Sequence, residues 1–235
     1  GGEVPVIDAS LEKEVPAGVR IIRHPIWEPY TFYKKLLGKK KNDRVYSGFI
    51  QDQKASGWKQ KLSVFIRGNF FIPDARMFWI KPSVKFLQKW LKDERIDAII
   101  STGPPHSTHR IALGLKRATG LPWVADFRDP WTQIDFYDQL HLTKWADSRH
   151  KRMEQEVLKE ADEVVTVSPS WGKGLETLVH REIKIVNNGY DPEDFDRVPD
   201  VYPTLFSICH VGSMNADRNP LVLWDAIQQL LKEDA

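Results

Sequence analysis

Residues 96–107, Ile96-Asp97-Ala98-Ile99-Ile100-Ser101-Thr102-Gly103-Pro104-Pro105-His106-Ser107, run from a strand through a turn into a helix. Ile96 to Ser101 is a bounded apolar run of strand length, and Gly103-Pro104-Pro105 ends it. From about Ser107 to Thr119 apolar residues return at helical spacing, and Trp123 to Phe127 is the next strand. Strand, helix and strand with short connections make a βαβ unit, whose strands lie parallel.

The alternation continues in both directions. Downstream, a helix from about Ala146 to Glu160 leads to the strand Glu163–Val167; Ser168 caps a helix through Leu178, Ile183–Val186 is a strand, and Asn187-Asn188-Gly189-Tyr190 turns the chain. Upstream, Val84, Phe86, Leu87, Trp90 and Leu91 mark the apolar face of a helix over 83–93, with Pro82 in its first turn. Val19–Arg23 reads as a short strand, and 31–79, rich in lysines and aromatics, as helices and loops. The fold class is α/β, a Rossmann-like domain around a mostly parallel sheet.

Three prolines in thirteen residues, Pro192, Pro199 and Pro203, suit an interdomain linker. A new unit follows, with a strand from Leu205 to Val211, a loop at Gly212–Asn215 and a helix opening at Pro220 that carries Leu221, Leu223, Trp224 and Ile227. Gly1 and Ala235 both read as cuts through a longer chain. The expected organisation is a variable basic and aromatic region (1–94), a Rossmann-like core (95–190), a linker (191–204) and the start of a second domain (205–235).

With 41% hydrophobic and 28% charged residues, the 235-residue chain has the composition of a globular protein. No apolar run is long enough to span a bilayer and no signal pattern opens the chain, so a cytoplasmic location is expected. The single Cys209, in an apolar run, excludes an internal disulfide and is expected to pack as a small hydrophobe. Net charge +2 conceals an asymmetry: residues 1–90 hold 17 Lys/Arg against 8 Asp/Glu, and 91–235 hold 17 against 24. Such a basic half is either a solvated face or a surface for an anionic partner, nucleic acid or membrane.

Two strand ends gather chemistry. Beyond Ile96–Ser101 stand His106, Ser107, Thr108 and His109 at a helix N-terminus, where Ser107 or Thr108 can cap and free backbone donors can meet an anionic ligand. At the end of Trp123–Phe127 stand Asp126, Arg128 and Asp129, whose charges belong at the mouth of the sheet. There an arginine can hold phosphate or sugar oxygens and a carboxylate can accept sugar hydroxyls. A capped turn with surface histidines and a salt-bridged structural turn are the plainer alternatives, and two carboxylates alone specify a metal site weakly. The absence of Walker, Gly-x-Ser-x-Gly and Gly-x-Gly-x-x-Gly signatures excludes P-loop, hydrolase and dinucleotide-fingerprint readings.

In order, Ile99–Ser107, Pro122–Trp131, Val165–Ser168, Asn187–Asp191, and His210-Val211-Gly212-Ser213 with Arg218-Asn219-Pro220 resemble the retaining family-4 glycosyltransferases over roughly residues 95–230. The resemblance implies the N-terminal half of a GT-B fold followed by the first strand and helix of the donor domain, with a site between domains. It implies a nucleotide-sugar donor, retention, no cofactor and no obligatory metal. Asp126, Arg128 and Asp129 would be catalytic, His106, Ser107 and His109 would line the acceptor, and Gly212, Ser213 and Arg218 would hold the donor diphosphate. Two positions depart from the family pattern: Ser213 stands where many relatives have Arg, and Arg128 where many have His.

The expected activity is therefore sugar transfer to a glycan or lipid-linked acceptor in cell-surface polysaccharide assembly. The enzyme would be cytoplasmic or peripheral to the inner face of the plasma membrane, and this chain alone would be inactive. A GT-B nucleotide-sugar epimerase shares the architecture, and a nucleic-acid-binding module would explain the basic half but not the acidic one.

Overall fold

The computed structural model describes residues 14–27, 58–192, 204–212, 214 and 219–233. Lys39, Lys40 and Lys41, and all of the expected linker beyond Pro192 up to Pro203, lie outside them. The chain divides into two units, Gly1–Gly189 and Tyr190–Ala235.

The first unit is built on β1 (Ile99–Gly103), β2 (Trp123–Phe127), β3 (Glu163–Thr166) and β4 (Lys184–Ile185). All pairings are parallel and the order in the sheet is that of the chain. Helices α3 (Ser107–Thr119), α4 (Lys144–Glu160) and α5 (Pro169–Val179) make the crossovers, and α1 (Trp58–Phe70) and α2 (Met77–Trp90) precede the sheet. This is the Rossmann-like α/β architecture that the alternation predicts.

Period-two alternation sets the faces of the sheet. Trp123, Ala125 and Phe127 of β2 are fully buried, as is Val164 of β3, and they share one core with Leu113, Val157, Leu158 and Leu175 from α3, α4 and α5. Local signals bound the helices: Ser168, as read, accepts from the Trp171 amide with Pro169 opening α5, while the structure adds Thr143 as the cap of α4 and Gly120, at φ 74, as the close of α3. At α4's far end Arg181 donates to the carbonyls of Leu158, Ala161 and Asp162, which lie where the helix leaves carbonyls without intrahelical partners.

Four local expectations are corrected. The helix expected over 83–93 begins at Met77, so Pro82 sits inside it. Contacts of its added first turn, Phe78 against Phe71 and Trp27, help offset the hydrogen bond that a proline removes. The strand expected over Val19–Arg23 is irregular chain without a ladder, lying on α2 through its side chains: His24 packs on Phe86 at 4.9 Å and Arg20 covers Trp90 at 5.4 Å. Leu205–Val211 likewise forms no strand; an isolated strand has no neighbour for its backbone groups. Cys209 is exposed rather than packed. In this second unit α6 (Leu221–Glu233) has no buried residue, and Leu205 and Phe206 are 79% and 94% exposed.

Candidate active site

The parallel register sets Thr102 beside Asp126 and Gly103 beside Phe127, so the loops leaving β1 and β2 emerge side by side. The Arg128 amide donates to the Gly103 carbonyl at 3.1 Å, and the Thr102 hydroxyl donates to Asp126 Oδ2 at 3.1 Å. Arg128 is exposed and Asp129 half-buried, and among the described residues neither side chain has a hydrogen-bond or ion-pair partner. Two opposite charges therefore stand uncommitted at the carboxyl edge of the sheet, beside the partly solvated carboxylate of Asp126. Ligands of open α/β sheets bind at this edge.

The residues of the β1 loop divide differently. His109 is fully buried: its ring stacks on Phe127 at 4.5 Å, and Nδ1 meets the Ser101 hydroxyl at 2.8 Å. The Trp123 indole donates to that same hydroxyl, so Ser101 ties the His109 ring to β2. Burial depresses the His109 pKa to about 3. His109 is thus a neutral core side chain and touches no acceptor surface here. His106 is nearly buried, with its ring parallel to that of Trp131, and burial, then the neighbouring His109 and His150, hold it well below the usual imidazole range.

The N-terminus of α3 is not open to a ligand as expected. The Ser107 amide donates at 2.7 Å to Oδ2 of Asp74, which also accepts from the Arg76 amide through Oδ1. Neither expected cap forms: Ser107 Oγ has no partner, and the Thr108 hydroxyl donates to the Thr102 and Pro105 carbonyls. A carboxylate is favourable at a helix N-terminus. Burial nevertheless pushes the Asp74 pKa up against the pull of the two amides. Asp74 is the sole carboxylate between Asp52 and Asp93, a signal that composition alone did not turn into a role.

Two further residues were missed. Glu154, fully buried on α4, accepts from the amides of Trp131 and Thr132, both at 3.2 Å, and from the Thr132 hydroxyl. One turn earlier, His150 Nδ1 accepts from the Trp131 indole at 3.0 Å, so its Nε2–H donates to the Gly68 carbonyl at 3.2 Å. Burial raises the Glu154 pKa and lowers that of His150. In sequence, a His and a Glu four apart on a strongly charged helix look like a solvated face.

Of the expected donor-side residues, Gly212 lies in the second unit with φ 125, a conformation that suits glycine. Ser213 and Arg218 lie outside the described residues. Among the described residues no group of three or more His, Cys, Asp or Glu side chains could hold a metal ion.

The family model for Glycosyltransferase Family 4 matches residues 49–194, which include the whole sheet and both loops. No curated protein and no solved structure matches the chain. A match over more than half the chain, on a parallel α/β unit with charged side chains free at its carboxyl edge, places this protein in glycosyltransferase family 4.

Proposed function

We propose that the full-length protein transfers a sugar, with retention, from a nucleotide-sugar donor to a glycan or lipid-linked acceptor in cell-surface polysaccharide assembly. The reading is carried by the uncommitted pair Arg128 and Asp129 on the β2 loop of a glycosyltransferase-family domain. Departure of the nucleoside diphosphate breaks the bond to the anomeric carbon and leaves its electron pair on phosphate oxygen. Cations near that oxygen and a hydroxyl held against the anomeric carbon lower the barrier. Arg128 supplies positive charge at the sheet edge, and Asp126 and Asp129 accept hydrogen bonds from sugar and acceptor hydroxyls. Gly212, Ser213 and Arg218 are the proposed diphosphate contacts, and His106 is the proposed acceptor-side residue, whereas Ser107 is fully buried with its amide held by Asp74.

An anionic membrane surface at the inner face of the plasma membrane is the proposed working place. Neither α1 nor α2 contains an Asp or Glu, while each carries three Lys or Arg residues. Polybasic segments are drawn to such surfaces. Among the described residues, no helix is long and apolar enough to cross a membrane.

The test is release of nucleoside diphosphate by the full-length protein from a panel of nucleotide sugars, with and without lipid-linked acceptors. Arg128→Ala and Asp129→Asn should each slow transfer at least tenfold, about 1.4 kcal/mol at the transition state, with unchanged circular-dichroism melts. Wild-type rates in both variants would remove the loop from the site. Isomerisation of the free nucleotide sugar without acceptor would point to an epimerase instead.

A further inference from the structure

Arg128 and Asp129 form a two-residue bridge between buried anchors. Phe127 is fixed on one side by the β1 and β3 ladders; Pro130 and Trp131 are buried on the other. The strand register sets where the bridge starts. Where it ends depends on what holds Trp131 and Thr132, and every side-chain hydrogen bond to their amides, hydroxyl and indole comes from Glu154 or His150.

We propose that Glu154, with His150 one turn before it, is a positioning residue for Arg128 and Asp129: the two clamp Trp131–Thr132 and thereby aim the charged bridge at the sheet edge. Burial makes the clamp stiff. Glu154 is fully buried, and the hydrogen bonds it accepts come from the Trp131 amide and the Thr132 amide and hydroxyl. The indole bond fixes the His150 tautomer, and the bond from Nε2 to the Gly68 carbonyl fixes the ring against α1. Trp131 in turn stacks on His106, so the clamp also sets the distance between the two loops. A carboxylate accepting three bonds from one short loop is a costly thing to bury for packing alone. A loop that must hold its angle for chemistry gives that geometry a use, since a misplacement of about 1 Å can cost catalysis on the order of a hundredfold.

This inference rests on the reading of Arg128 and Asp129 as site residues, and the experiment separates the two. In the full-length protein, nucleoside diphosphate release from the nucleotide sugar that the panel identifies is measured for Glu154→Ala, Glu154→Gln, Arg128→Ala and the Glu154→Ala/Arg128→Ala double variant. Glu154→Ala should lower kcat at least tenfold with KM for the donor within about threefold. Glu154→Gln should restore most of the rate, because its carbonyl oxygen still accepts both amides and its amide can donate to the Thr132 hydroxyl. The double variant should lose less than the product of the two single losses, since the part of the Glu154→Ala loss that acts through Arg128 vanishes once Arg128 is gone and only the part through Asp129 remains.

The Trp131 indole N–H resonance, assigned with Trp131→Phe, reports the clamp without turnover: it should move and lose exchange protection in Glu154→Ala and not in Glu154→Gln. If Glu154→Ala does not fold, Thr132→Val, which removes one of the three donors, takes its place with the same predicted direction. Folded Glu154→Ala, or Thr132→Val in its stead, with full kcat and an unmoved indole resonance overturns the inference. So does a double variant in which the two losses multiply. If Arg128→Ala itself turns over normally, the proposed function fails, while the indole resonance still decides whether the clamp exists.

Discussion

The imidazole of His106 and the indole of Trp131 lie parallel within 3°, their centroids 4.8 Å apart, joining the loop after β1 to the loop after β2. Such pairs contribute about 0.5–1.5 kcal/mol beyond burial of their area. His106→Ala should therefore cost about 2 kcal/mol in urea unfolding, and His106→Phe, which keeps a flat ring, should recover most of it. Equal losses in the two variants would show that the ring does not join the loops.

Gly103→Ala should destabilise the first unit by about 1–3 kcal/mol through overpacking. An added Cβ would lie 2.5 Å from His109 Nε2 and 3.3 Å from His106 Nδ1. The His109 ring is held by Phe127 and Ser101 and has little room to retreat. A lowered urea midpoint with unchanged m-value is the expected readout; an unshifted midpoint would mean that the ring moves freely.

Acid should weaken the fold from near pH 6.5 downward. His106, His109 and His150 all have folded pKa values below the ordinary 6.5, so the unfolded chain binds more protons as pH falls through that value and stability declines. For His109, lowered to about 3, this amounts to about 2 kcal/mol at pH 5, with the loss complete below pH 3. Asp74 and Glu154, raised by burial, act in the opposite sense: the folded state holds their protons more tightly, so each adds stability as pH falls through its folded pKa. Glu154→Gln removes one of these offsets. Its melting temperature should fall more steeply with acidification than the wild type's, and a shallower fall would reverse the assignment.

Trimming the chain at Val201 should leave the first unit's stability within about 1 kcal/mol of the intact chain. The removed helix α6 buries no residue, and Leu205 and Phe206 are almost bare. A truncated chain that fails to fold would show that the boundary near residue 190 is not a stability boundary.

Liposome co-sedimentation tests the basic face. Lys81, Lys85 and Lys89 are exposed at intervals of four along α2, and Phe70 at the end of α1 is 65% exposed. Each lysine near an anionic surface contributes about 1 kcal/mol. Binding should require anionic lipid, weaken with salt and drop at least tenfold when the three lysines become glutamate. Equal, negligible sedimentation with neutral and anionic vesicles would favour a soluble acceptor.

What was legible in the sequence was periodic or local. The period-two run at Trp123–Phe127, the helical spacing over Ser107–Thr119 and the cap at Ser168 each follow from residues within a few positions of one another, and all three stand in the structure. The charges of Asp126, Arg128 and Asp129 were legible for the same reason: three ionisable groups gathered at the end of a buried strand belong at its mouth. What only the tertiary structure decided was how distant residues share one space. Spacing shows that His109 is near a helix start but not that Ser101, Trp123 and Phe127 close around it. It could not show that Asp74, 33 residues away, takes the Ser107 amide, or that Glu154 and His150 turn inward to hold Trp131. Helix periodicity records which residues share a face, and whether a polar side chain on that face meets solvent or a backbone amide depends on the element packed against it.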